Sequence, residues 1–265
     1  MYIGNPQKAP IVHQVVFELR YRYGFTYLDR CGRVVNAILK TWPDWILANT
    51  DPNPQNAPLV NTSNNCKFNF SARKLDFAIQ QGVGEEVLST EAIEDFAQQV
   101  EDLTRLVITE LELSEFSRIG FRIWYLFECK DTAEAEQWLK DLDLYTVSPH
   151  LASGFKGTIQ AASMAAVIES AERKFRVAFN SIERAIPLNL GDGILNVPAH
   201  TLPRQQREHL ARQIRERKRL AHNPPFAAMI DIDAYEEEPQ VVEPGDFVKT
   251  SLNDGLVFLS QSIQR

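Results

Sequence analysis

The 265-residue sequence predicts an α+β fold built from two tandem ferredoxin-like halves, residues 1–115 and 116–265. Three observations carry that expectation. Strand-like segments alternate apolar and polar residues with period two, while helix-like segments repeat apolar residues at helical spacing. The elements recur in the same order, strand-helix-strand-strand-helix. The strands that open each round start near residues 11, 117 and 226, a nearly constant offset.

In the first round, residues 11–23 read as a strand: Val15, Phe17, Leu19 and Tyr21 alternate with Val16, Glu18, Arg20 and Arg22. Tyr27, Cys31, Val34, Val35, Ile38 and Leu39 fall on one face of a helix over 26–41, which Trp42-Pro43 ends. Residues 49–65, rich in Asn, Pro, Thr and Ser, read as a loop. Strands are expected at 66–71 and 74–81. A long helix follows from Thr90 to about Leu113, with Ile93, Phe96, Ala97, Val100, Leu103, Val107 and Leu111 as its buried stripe.

The second round opens with a strand over 117–129. A helix at 131–142 has Asp131 as N-cap and Glu134 completing a capping box. After an irregular stretch at 143–160, strands are expected at 163–170 and 173–183 and a turn at Gly191-Asp192-Gly193. A helix over 203–222 closes at Pro224-Pro225. The strand 226–235 and a helix from about Asp246 onward complete the chain.

Composition places the chain among ordinary globular proteins, with 44% apolar and 24% charged residues. Cys31, Cys66 and Cys129 form no CxxC pair, which argues against a cysteine zinc site and for reduced, packed thiols. The first ten residues lack an apolar core, and no apolar run approaches the roughly 20 residues that span a bilayer. The expectation is a cytoplasmic protein with no membrane contact. Net charge is -7, against a global nucleic-acid binder. The distribution is uneven, however. Residues 204–219 hold Arg204, Arg207, Arg212, Arg215, Arg217, Lys218 and Arg219 against Glu208 and Glu216. Residues 231–246 hold seven acids and no Lys or Arg.

Three segments, taken together, carry a resemblance: Ala9-Pro10-Ile11-Val12-His13-Gln14-Val15-Val16, Arg118-Ile119-Gly120-Phe121-Arg122-Ile123, and Ile230-Asp231-Ile232-Asp233-Ala234-Tyr235. Their order and spacing resemble a sporadically distributed family of uncharacterised bacterial proteins of similar length. In that family a Pro-Ile start, an Arg-hydrophobic-Gly-hydrophobic-Arg strand and a late Asp-x-Asp-x-aromatic strand recur. The chain departs from the pattern at Ile123-Trp124, where the family usually has Tyr and then one residue before Asn. The resemblance spans most of the chain and implies a bacterial origin, without an activity to carry over.

Three features could carry chemistry. Asp231 and Asp233 share one face of a strand and could hold Mg²⁺ with Glu236 or Glu237 as third ligand, or lie on a solvated strand face, or pair with the arginines of 204–219. Arg204, Arg207, Arg212, Arg215, Lys218 and Arg219 lie on a helix with a thin apolar stripe. They could contact phosphates, an acidic partner, or the acid-rich segment that follows. Arg118 and Arg122 flank Gly120 on one strand face and could seat an anion or an aromatic ring, or pair with the carboxylates of a covering helix. The five histidines, His13, His150, His200, His209 and His222, form no pair at ligand spacing. Gly154-Phe155-Lys156-Gly157 reads as a plain turn, and no GxSxG, Walker or Rossmann pattern occurs. The reading that follows is a non-catalytic binding or assembly subunit with no cofactor. Its partner is a protein or a second copy of the chain, with nucleic acid as a further option through the basic helix. The competing class is metal-dependent phosphoryl transfer or nuclease chemistry at Asp231 and Asp233.

Overall fold

A computed structural model describes residues 10–48, 55–80, 88–144, 163–171, 173–183 and 226–263. Period-two alternation becomes strand wherever the sequence expected it. In chain order the elements are β1 (Ile11–Tyr21), α1 (Tyr27–Thr41), β2 (Trp45–Leu47), β3 (Asn56–Asn61), β4 (Lys67–Ser71), β5 (Lys74–Gln80), α2 (Thr90–Leu111), β6 (Phe116–Cys129), α3 (Thr132–Asp141), β7 (Met164–Glu169), β8 (Lys174–Glu183), β9 (Phe226–Glu237) and α4 (Pro244–Ile263). The described strands form one antiparallel sheet of nine, in the order β2-β3-β4-β5-β1-β6-β9-β8-β7.

The sheet runs unbroken across the boundary expected at 115/116, because β1 and β6 are hydrogen-bonded neighbours. The two rounds also differ in topology. The first gives the order β4-β5-β1-β6, with the opening strand β1 between β5 and β6. In the second, β9 lies between the opening strand β6 and β8. The fold is therefore α+β with one large antiparallel sheet, and two separate ferredoxin-like sheets are not what forms.

All four described helices pack on one face of this sheet. Tyr27 of α1 meets Phe70, Phe96 of α2 meets Phe77, and Trp138 of α3 stacks on Phe127 at 4.5 Å. Gly255 of α4 lies over Tyr125 and Ile232. The strand registers place these partners on the same face as Val15, Phe17, Leu19, Phe121 and Ile123. The whole expected stripe of α2 is buried here. The expected Asp131 cap forms, accepting from Glu134 N–H, and Ser89 caps α2 by accepting from Ala92 N–H. Glu134 reaches back one residue further than a capping box would, to Lys130 N–H.

Two departures stand out. The stretch 49–65 was expected as loop, yet it contains β3, a strand paired on both sides. Pro58 is tolerated there because its carbonyl accepts from Ala48 N–H just past the end of β2. The proline's missing N–H points to that same side, past the end of β2, so no bond of the β3–β4 ladder is lost. The first strand also stops at Tyr21, short of residue 23. Tyr23 is left-handed (φ 56°), and Gly24 brings the chain so close to the β4–β5 turn that a Cβ would sit 2.4 Å from the Ala72 carbonyl oxygen. The helix expected at 203–222, the turn at 191–193 and most of 143–160 lie outside the described residues.

Candidate functional site

The second face of the sheet is built from the alternate residues, and at its centre these are ionic. Register sets them in rows across five strands. One row runs Asp76, Glu18, Gly120, Tyr235, Lys174. The next runs Ala78, Val16, Arg122, Asp233, Arg176. The third runs Gln80, Gln14, Trp124, Asp231, Ala178. Long arginines lean from one row to the next and tie the strands together.

Asp231 anchors the site. It is 2% exposed and accepts four hydrogen bonds. Oδ1 takes Arg122 Nε and Trp124 Nε1, both at 2.7 Å. Oδ2 takes Arg122 Nη2 at 2.6 Å and Arg176 Nη1 at 3.4 Å. A carboxylate so buried needs this compensation, because an unpaired charge away from water is costly. Arg122 also lies over the Trp124 ring, 4.8 Å from its centroid. The hydrogen bond from Arg122 to Asp231 outweighs burial and raises the Arg122 pKa further.

Asp233 belongs to Arg118, whose Nη2 reaches its two oxygens at 3.0 and 2.9 Å. The same guanidinium reaches Glu18 through Nη1 at 2.9 Å and lies over the Tyr235 ring. Gly120 makes this possible. A Cβ there would sit 2.9 Å from Arg118 Nη1, so the guanidinium crosses the strand in this position with no side chain in its way. Burial raises the Asp233 pKa above its ordinary value, and the charges of Arg118 and Arg122 work against that rise. Glu18 goes the other way. Burial pushes it up, but hydrogen bonds from Arg20 and Lys74 pull it below its ordinary value.

The structure thus brings Arg118 and Arg122 together with Asp231 and Asp233. The carboxylates they meet come from neighbouring strands, not from a covering helix as expected. The proposed third metal ligand is not brought in, since Glu237 pairs with Lys174 at 2.5 Å. No group of three or more His, Cys, Asp or Glu able to hold a metal occurs among the described residues. Arg204, Arg207, Arg212, Arg215, Lys218 and Arg219 lie outside the described residues, as do His150, His200, His209, His222 and Gly154–Gly157. His13 is buried on this same face, within 6.4 Å of the Trp124 ring and 3.2 Å from Gln80 Nε2. No helix is long and apolar enough to cross a membrane among the described residues.

Sequence reasoning missed Glu18, Trp124 and Arg176. Alternation alone puts Glu18 and Trp124 on the polar face, and that signal was legible. Arg176 joins Asp231 only through the β8–β9 register, which no local pattern encodes. No family model matches the chain, and no curated protein matches it.

Proposed function

We propose that the chain is a non-catalytic binding or assembly subunit of the bacterial cytosol that works by contact with a macromolecular partner. The observation that supports this most is the state of the two aspartates. A phosphoryl-transfer centre needs carboxylate oxygens free to hold a cation. Here Arg122, Trp124 and Arg176 occupy Asp231, and Arg118 occupies Asp233. A divalent ion would have to displace guanidinium groups already neutralising these charges. The carboxylates act as struts that orient arginines. The cationic stretch 204–219 supplies the partner contact, on its charge count alone. The strand order β4-β5-β1-β6 supports reading the first round as ferredoxin-like, with β6 lent by the second.

The test is an assay of the purified chain with Mg²⁺ and Mn²⁺ against single-stranded and duplex nucleic acid and nucleoside triphosphates. No turnover is expected. Turnover by the wild type that is lost in a folded Asp233→Asn variant would overturn the reading. A charge reversal, Arg212→Glu with Arg215→Glu and Arg219→Glu, should abolish partner binding and leave the circular dichroism spectrum intact.

A further inference from the structure

The ion pairs of this sheet face leave one cation without a close carboxylate of its own. Among the described residues the groups that meet there are six cations, Arg20, Lys74, Arg118, Arg122, Lys174 and Arg176, and six carboxylates, Glu18, Asp76, Glu169, Asp231, Asp233 and Glu237. The close pairs are Glu18 with Arg20, Asp76 with Lys74, Asp233 with Arg118, Asp231 with Arg122, and Glu237 with Lys174, which also approaches Glu169 at 3.8 Å. Arg176 is the cation among them with no close partner of its own. Its contact to a carboxylate is the 3.4 Å approach to Asp231 Oδ2, an oxygen that Arg122 already holds at 2.6 Å.

The donors left over are also aligned. A guanidinium carries five N–H groups. Arg122 spends two of them on Asp231, and the other three have no acceptor among the described residues. Arg176 spends one. Both side chains are 41% exposed, so these donors are accessible. Because Nη2 of Arg122 and Nη1 of Arg176 approach the same oxygen, the two nitrogens are at most 6.0 Å apart. A planar carboxylate matches the edge of one guanidinium. A tetrahedral group with oxygens roughly 2.5 Å apart, each accepting at about 2.8 Å, bridges two. Asp231 holds both arginines in place before any ligand arrives, which lowers the ordering cost of binding.

We infer that Arg122 and Arg176 form a phosphate-binding site on the open face of the sheet, anchored from beneath by Asp231 and Trp124. This rests on the binding reading above and names the chemistry recognised, a phosphate group. The group arrives either free or on a nucleic-acid backbone.

The experiment uses the full chain at low salt. Inorganic phosphate is titrated calorimetrically, and a short single-stranded oligonucleotide is titrated by fluorescence anisotropy. Binding of at least one probe is expected. Arg176→Gln should weaken it tenfold or more with the circular dichroism spectrum unchanged, and Arg20→Gln, on the same face, should leave it unchanged. Arg176→Lys keeps the charge without the planar fork and should fall between wild type and Arg176→Gln. This second variant decides the matter if the first fails to fold. Phosphate binding alone assigns a free phosphate group, and oligonucleotide binding with a steep salt dependence assigns the backbone. Binding of neither probe, or wild-type affinity in either Arg176 variant, overturns the site and leaves the non-catalytic reading untouched. Cleavage of the bound oligonucleotide does the reverse.

Discussion

Asp231→Asn is the sharpest probe of the ionic face. The change is isosteric, so it opens no cavity. It replaces one acceptor oxygen by an NH₂ group, and every neighbour of Asp231 is a donor: Arg122, Trp124 and Arg176. Whichever way the amide turns, a donor faces a donor. Hydrogen bonds to charged groups contribute about 1.5–3 kcal/mol each, and breaking a buried ion pair costs about 3–5 kcal/mol. Arg122 is 41% exposed and recovers part of its solvation from water, which lowers the expectation to about 2–4 kcal/mol. For a chain of this size, each kcal/mol shifts the melting temperature by roughly 2–4 °C, so a loss of about 5–15 °C is expected. Differential scanning calorimetry reads it directly. Trp124→Phe, alone and combined with Asp231→Asn, should show coupling, because the indole N–H and the carboxylate share one bond. A loss under about 2 °C, or strict additivity in that cycle, would refute the view of Asp231 as the anchor.

Three further outcomes follow from the same geometry. Gly120→Ala places a methyl 2.9 Å from Arg118 Nη1, so the guanidinium must shift and its bonds to Glu18 and Asp233 loosen; a cost of up to about 1 kcal/mol in denaturant unfolding is expected, and a raised midpoint refutes it. Leu103→Ala empties a fully buried position on α2 and should cost about 2–5 kcal/mol; an unchanged melting temperature would mean the helix face is wrong. Glu18 has its pKa lowered from an ordinary 4.5, so its contribution is complete above that pH and disappears as pH falls through the lower folded value. Glu18→Gln should therefore flatten the acid limb of the stability-versus-pH profile, and an unaltered limb would refute the assignment.

Much of the fold was legible because the signals were local. The alternation in β1 and β6 and the seven-residue stripe of α2 each state which face is buried, and those faces are the ones buried in the structure. β3 was not legible. Asn56, Pro58 and Asn61 are strand-poor residues, and Pro58 is acceptable only because β2 stops at Leu47. Tertiary pairing overrides propensity there. At the site, the shared face of Arg118, Gly120 and Arg122, and that of Asp231 and Asp233, could be read from period two. Which arginine meets which aspartate depends on the β6–β9 register and on arginine reach across rows. Neither is written in any short segment.

The insertion of β9 between β6 and β8 also sets the order in which the protein can be made. As the chain leaves the ribosome, β1 can capture β6 as soon as residue 129 emerges. The other edge of β6 then waits for β9, whose first residue lies about 100 residues downstream. At about 5–20 residues per second, that edge stays open for roughly 5–20 s. It is a long row of unpaired N–H and C=O groups in the middle of the future sheet. From the emergence of residue 183, a little past the middle of that interval, β7 and β8 are both synthesised and can pair with each other or, wrongly, with β6 itself. Correct assembly of this sheet depends on keeping β8 off β6 until the last strand arrives.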